Sequence, residues 1–349
     1  MDQIVIQILS REPHISQILT GFCTRSTDCR ENLLFEDHTQ NADLPYPSAM
    51  VRVIYHGKIL IYDVLDGYQH PDAIRYHLEH CDYYFKRSFS PEKNLQLGSP
   101  YIHRMHPLGF NYHVSCKNHP TDKPAWKETI KRYLGIEYNN FCSTAFTSHS
   151  FESLPQYKSD SFHVIFATRL WSESDSLSAE LNEERQYINQ MRIDIIRQLR
   201  KLPGIHFIGG LSGSPLAEQL APDLILPPEI VPRKKYLQLM RSSDICIGSM
   251  GLHESIGWKT GEYVAAGKAI VNETFHYSVP GNFAAGTNYL PFSSCRQCMD
   301  CVQELLASPK KLHEMKQANR LYYTQYLRPD VLIRNTLDIA DSKSQFPLL

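Results

Sequence analysis

The chain has 349 residues, more than one hydrophobic core usually organises, so two domains of roughly 150 to 200 residues each are expected. Its 36 Lys and Arg stand against 37 Asp and Glu, a net charge of -1, and 42% of its residues are hydrophobic; this excludes a largely disordered chain and a dedicated nucleic-acid binder, which needs a basic surplus. The opening MDQIVIQILS has no basic n-region and no segment reaches about 18 uninterrupted apolar residues, so neither signal peptide nor membrane span is expected and the cytoplasm is the expected compartment.

In chain order, IVIQIL (4–9) and MVRVIYHGKILIYDVL (50–65) read as buried or half-buried strands, and PDAIRYHLEHCDYYFKRSF (71–89) opens on Pro with helical apolar spacing. Residues 95–123 are rich in His, Pro, Gly and Asn and read as functional loops. Within them His103, His106 and His113 are candidates for taking a proton from an acceptor hydroxyl, against ordinary surface or core roles. KPAWKETIKRYLG (123–135) reads as a basic helix, with Lys127, Lys131 and Arg132 facing solvent or, alternatively, touching an anionic membrane surface. The polar, aperiodic FTSHSFESLPQYKSDS (146–161) reads as the interdomain linker, which sets the expected domains at 1–155 and 156–328.

The second half begins afresh with the strand FHVIFATRLW (162–171) and the long polar helix EERQYINQMRIDIIRQLRKL (183–202). PGIHFIGG (203–210), PRKKYLQLMRSS (232–243), DICIGS (244–249), SIGWKTGEYVAAG (255–267) and KAIVNE (268–273) then alternate strand and helix, before a closing helix from about Cys298. Such alternation implies an α/β domain with a parallel sheet covered on both faces, Rossmann-like. Nine cysteines is an odd count, and Cys23, Cys29, Cys81, Cys116, Cys142 and Cys246 lack a framework spacing, so reduced thiols are expected. The run Cys295, Cys298, Cys301 resembles part of a metal site, but no fourth ligand is evident and it leads into the amphipathic pattern VQELLASPKKLHEMKQ, which favours a helix.

The segment from Ser249 to Lys268 carries the chemistry. It is a strand–loop–helix turn, and in a doubly wound sheet such a loop faces a crevice at the carboxyl ends of the strands. Ser255 and Gly257 stand near the helix start, where unpaired amides and the positive dipole end suit a diphosphate and a glycine admits close approach. Glu254 precedes the helix and Glu262 sits one to two turns inside it, so the two are not on one helical face and are expected to grip different parts of one elongated ligand. A carboxylate accepts two hydroxyl hydrogen bonds, which fits a ribose or hexose diol. The residues alone equally allow Glu254 as a helix cap and Glu262 as a solvated side chain.

At these residues the chain resembles a family. The E-x7-E motif of Glu254 and Glu262 in GLHESIGWKTGEYVAAGKAIV is similar to the donor-binding signature of retaining GT-B glycosyltransferases of the family 4 kind, over about Phe162 to Leu327 and only weakly before. The resemblance implies two Rossmann-like domains with parallel sheets facing across a cleft, the donor held by the second. It also implies that residues 329–349 cross back to the first domain. Glu254 would contact the donor sugar, Ile256 and Gly257 would hold the diphosphate through their amides, Glu262 would bind the ribose, and Arg169 would neutralise the leaving diphosphate.

The family's lysine a few residues after that arginine has no counterpart in LWSESDSLSAELNEE (170–184); Lys259 and the pair Lys86–Arg87 are the candidates to replace it. Arg169, Glu254 and His113 are the expected catalytic residues. The expected reaction moves a sugar from a nucleoside-diphosphate sugar to a hydroxyl of a glycan, lipid-linked or protein acceptor, with retention and without a metal, since no acidic DxD triplet is present. An inverting GT-B enzyme, an epimerase-like hydrolase and a catalytically silent sugar-nucleotide-binding partner are the other readings.

Overall fold

The computed structural model describes residues 3–10, 12–29, 31–39, 49–116, 119–120 and 162–342. The chain divides into two compact units, the first comprising Met1–Ser150, Ser278–Gly281 and Thr324–Leu349, the second Phe151–Tyr277 and Asn282–Tyr323. The basic helix expected at 123–135, Cys142 and the linker expected at 146–161 lie outside the described residues.

In chain order the first unit contributes β1 (Ile4–Ile8), α1 (Ser16–Cys29), β2 (Leu33–Asp37), β3 (Met50–Tyr55), β4 (Lys58–Asp63), α2 (Pro71–Glu79), β5 (Tyr83–Lys86), α3 (Pro91–Gln96) and β6 (Met105–Pro107). The second contributes β7 (Phe162–Thr168), α4 (Ala179–Leu199), β8 (Ile205–Leu211), α5 (Pro215–Leu220), α6 (Arg233–Ser242), β9 (Ile245–Gly248), α7 (Trp258–Ala265), β10 (Ala269–Glu273), β11 (Leu290–Phe292), α8 (Cys295–Ala307) and α9 (Pro309–Tyr322). A π turn over Tyr323–Leu327 then leads to α10 (Pro329–Asp341).

The first sheet runs β2-β1-β3-β4-β5-β6. Its strands pair in parallel except β3, which is antiparallel to both β1 and β4. The cause is local: the stretch 50–65 is two strands, folded back at His56 and Gly57, whose φ of 49° and 74° are the left-handed pair that a tight hairpin turn requires. Leave β3 aside and the order is that of a doubly wound sheet with one reversed strand inserted.

Ile4, Ile6 and Ile8 of β1 alternate inward and pack with Ile18, Leu19 and Phe22 of α1 and Ile333 and Leu337 of α10. At Gly21 the two helices meet backbone to side chain, since a Cβ there would lie 2.4 Å from the Pro329 oxygen and 2.5 Å from Ile333 Cγ1. Where β4 and β5 end, Asp63 and Lys86 stand side by side in register and both are wholly buried. Lys86 Nζ and the Tyr84 hydroxyl each donate to Asp63 Oδ2 at 2.7 Å, and Leu65 N donates to Oδ1, so the costly burial of two charges is compensated by a full bond set. Arg87 is 4% exposed and pairs with Asp66 at 2.7 Å. Lys86 and Arg87 thus each have a carboxylate partner within the first unit.

The second sheet is parallel throughout, in the order β11-β10-β9-β7-β8. Counted within the unit this is the doubly wound order 2-1-3-4-5, whose switch point falls between β7 and β9. Both strands read as near-continuous apolar runs because helices cover both faces, and Val164, Ile165, Ile245 and Ile247 are buried. Ser178, Ser214, Ser294 and Ser308 cap α4, α5, α8 and α9, each hydroxyl accepting the amide three residues on.

The single closing helix expected from Cys298 is two helices broken at Ser308–Pro309, where the proline cannot continue the preceding ladder. Cys295, Cys298 and Cys301 all lie within α8; Cys298 is fully buried and burial raises all three thiols. Among the described residues no group of three or more His, Cys, Asp or Glu is placed to hold a metal, and no helix is long and apolar enough to cross a membrane.

Replacing Gly21 by Val is expected to destabilise the first unit by about 1–3 kcal/mol, because the helix pair cannot absorb a branched side chain. Thermal denaturation followed by circular dichroism checks it, and an unchanged melting curve would show that α10 yields freely.

Candidate functional site

Arg169 follows the last residue of β7, and the loop 249–257 follows the last residue of β9, so both stand at the carboxyl edge of adjacent strands at the switch point. One side chain of α4 ties them together. Arg192, 5% exposed, donates from Nη1 to the Arg169 oxygen at 2.6 Å, from Nε to Ser249 Oγ at 3.0 Å and from Nη2 to the Met250 oxygen at 2.9 Å. Glu273, at the end of β10, accepts the Met250 amide at 2.6 Å and attracts Arg192 across the loop. Burial draws the Arg192 pKa down to about 10, with Glu273 opposing and Arg169 adding, while burial raises the Glu273 carboxyl. Sequence reasoning missed Arg192. A signal was there, since it falls on the apolar stripe of α4 with Ile188, Ile195, Ile196 and Leu199.

The loop itself is folded tightly. Gly251 N donates to the Ser255 oxygen at 2.8 Å and Ser255 N to the Leu252 oxygen at 3.1 Å, so the Ser255 amide expected to face a diphosphate is engaged within the loop. His253 and Glu254 both take left-handed backbone, φ 60° and 59°, which costs non-glycine residues on the order of 1 kcal/mol or more each. Tyr277 OH donates to the His253 oxygen at 2.8 Å and Glu184 Oε1 accepts the Glu254 amide at 3.2 Å, holding that conformation. Glu254 therefore sits on a strained turn of its own, ahead of the helix. Its half-exposed carboxylate lies 3.6 Å from Nδ1 of His276.

Helix α7 starts after Gly257 and has no side-chain cap, like α6 and unlike α4, α5, α8 and α9. Two nearby glycines are demanded by packing: a Cβ on Gly248 would lie 1.7 Å from Asn272 Oδ1, and one on Gly251 2.4 Å from Ser255 Oγ. Gly257 is different. Its φ of -65° suits any residue, and a Cβ would meet nothing closer than 3.7 Å, so the protein's own structure does not require glycine there.

Inside the helix Glu262 is 0% exposed, not solvated. Its Oε1 pairs with Arg233 Nη2 at 2.5 Å, whereas Oε2 is buried without a hydrogen-bond partner, a state that buried carboxylate oxygens seldom keep. Lys259, one turn earlier, donates to the Ala167 oxygen near the end of β7 and lies 5.0 Å from the Tyr236 ring centre. Burial lowers its pKa to about 8; Glu262 resists that, while Arg192, Arg233 and Arg169 add to it. Lys259 thus feels one carboxylate, Glu262, and the like charges of three arginines. Arg169 is exposed, with its guanidinium 4.0 Å over the Trp171 ring.

The structure accordingly gathers Arg169, Glu254, Ser255, Ile256, Gly257, Lys259 and Glu262 in the second unit, around the ends of β7 and β9 and the start of α7. His113 belongs to the first unit, so the three residues expected to be catalytic are not gathered within one unit. Of its neighbours in sequence, His103 is exposed with Nδ1 3.1 Å from the Pro100 oxygen, and His106 packs against Tyr83 and Phe85 with its pKa lowered by burial.

No family model matches the sequence, and no curated protein matches it. Among solved structures, the chain is similar to Anabaena Alr3699/HepE in complex with UDP and glucose, at 11% identity over 96% of this chain and 98% of that one, TM-score 0.46. It is also similar to the C-terminal domain of a glycosyl transferase group 1 family protein (LpcC) from Francisella tularensis, at 15% identity over 47% of this chain and 85% of that one, TM-score 0.33. A third is the UDP-GlcNAc 2-epimerase from Neisseria meningitidis, at 14% identity over 76% and 63% of the two chains, TM-score 0.39.

Proposed function

We propose that the second unit binds a nucleoside-diphosphate sugar and that the protein is a glycosyltransferase passing the sugar, with retention, to a hydroxyl of a glycan, lipid-linked or protein acceptor held by the first unit. The observation that carries this reading is Glu262: a wholly buried carboxylate with one oxygen unpartnered, inside a helix that begins uncapped at a doubly wound switch point. A ribose hydroxyl is the donor such an oxygen lacks.

The remaining parts fall into place along the ligand. A diphosphate is assigned to the start of α7, where the dipole is positive and Gly257 leaves room for a phosphate oxygen against the backbone, with the Ile256 and Gly257 amides as its proposed donors. Arg169 and Lys259 offset the charge that builds as the diphosphate leaves; such fixed electrostatic terms are commonly worth several kcal/mol of a barrier. Lys259 reaches the end of β7 from the opposite side of the sequence, which makes it the replacement for the lysine that 170–184 lacks. Glu254 orients the sugar, the departing phosphate takes the acceptor proton, and His113 is assigned to the acceptor side. No resident metal is needed in this scheme. The rival reading, a silent sugar-nucleotide-binding partner, rests on that same missing lysine, and slow hydrolysis of any sugar nucleotide would count against it.

In a thermal-shift panel of sugar nucleotides one or more should stabilise the protein by mass action. For the best ligand, Glu262→Ala should weaken binding by about tenfold to a hundredfold, since a bond to a charged group is lost; calorimetry with unchanged affinity would remove the main support.

Lys259 gives the binding a pH signature. Protonated below about 8, it supplies a cation at neutral pH and loses it above, so nucleotide affinity should fall between pH 7 and 9. The free protein behaves oppositely. Above pH 8 the unfolded chain, whose lysine titrates near 10.5, binds more protons than the folded one, so Lys259 adds stability as pH rises. Lys259→Met should flatten the affinity profile; a slope that persists in that variant would assign the titration elsewhere.

A further inference from the structure

Arg233 is the first residue of α6, and Pro232 before it fixes where that helix starts. Its guanidinium donates to Glu262 Oε1 at 2.5 Å, a close charge-assisted contact, and its side chain keeps 36% exposure. The guanidinium carbon also lies 5.8 Å from the Tyr236 ring centre. Burial works against the charge on Arg233, and Glu262 outweighs it, so the net effect holds the pair together.

A carboxylate has acceptor capacity on both oxygens, and a vicinal diol can use both. Here one oxygen is already taken by a guanidinium and the other is buried with no partner. We infer that Arg233 is a specificity-determining residue that makes the ribose grip one-handed: one ribose hydroxyl donates to Glu262 Oε2, while the other faces the partly exposed Arg233 side chain and accepts from its guanidinium. The two hydroxyls are then unequal. Losing the one that donates to Oε2 leaves a buried carboxylate oxygen unpaired again, whereas losing the one at Arg233 affects a side chain that is partly exposed and already bonded to Glu262 Oε1. This inference rests on the reading of the second unit as a nucleoside-diphosphate site.

The test is calorimetric binding of uridine, guanosine and adenosine diphosphates, followed, for each that binds, by its 2′-deoxy and 3′-deoxy forms. With the wild-type chain, one deoxy form should bind about tenfold to a hundredfold more weakly than the parent and the other within a few-fold of it. In Arg233→Met both Glu262 oxygens are released to the diol, so the two deoxy forms should become nearly equal. Arg233→Lys, which keeps a charge but loses the planar fork, should fall between.

Equal losses for the two deoxy forms in the wild-type chain would overturn the inference, as would an asymmetry untouched in Arg233→Met. The wild-type comparison decides even if Arg233→Met fails to fold, which its melting curve reports. Failure of every nucleoside diphosphate to bind the wild-type chain would instead overturn the underlying reading of the site, a different result from equal losses.

Discussion

The guanidinium of Arg192 is the contact on which the candidate site depends. It ties the carbonyl that ends the β7 turn to the first two residues beyond β9, and Glu273 completes the arrangement from β10. A buried cation is expensive unless its donors are matched, and here three donors meet three oxygens with a carboxylate close by. With that set intact, Arg169 and the strained turn at His253–Glu254 hold fixed positions relative to the helix that carries Lys259 and Glu262. Take the clamp away and two strand ends lose a common anchor.

The charge balance follows from the same geometry. Lys259 feels Glu262 as an attractive charge and Arg192, Arg233 and Arg169 as like charges, which together with burial act against its protonated form. The start of α7 has no side-chain cap, and a Cβ on Gly257 there would meet nothing closer than 3.7 Å. Local cost accepted at one place is the usual mark of a site in which structure has been traded for binding.

What was legible in the sequence is what periodicity and composition can carry. The alternation of apolar strands and amphipathic helices from 162 onward, the loop between DICIGS and KAIVNE, and the placing of Glu254 ahead of the helix and Glu262 within it all depend on neighbours in sequence. The reversal of β3 depends on two residues, His56 and Gly57, inside what reads as one apolar run. The place of Arg192 on an apolar stripe marked it as unusual, but neither its partners nor that of Arg233 were legible, because they lie 23 to 58 positions away and only the tertiary fold brings them near. The paired left-handed residues 253 and 254 were equally hidden: their conformation is set by Tyr277 and Glu184, not by their own preferences. The alternative of a solvated Glu262 was open on sequence grounds because a glutamate's burial is decided by what packs over it.

The central claim is that a nucleoside diphosphate lies across the start of α7 and the ends of β7 and β9. Hydrogen–deuterium exchange of the whole chain, with and without a saturating nucleoside diphosphate, addresses this directly. The account predicts slowed exchange concentrated in 249–262 and 167–172, with the rest of the second sheet little changed. Protection that spares both segments, or that appears only in the first unit, would contradict it.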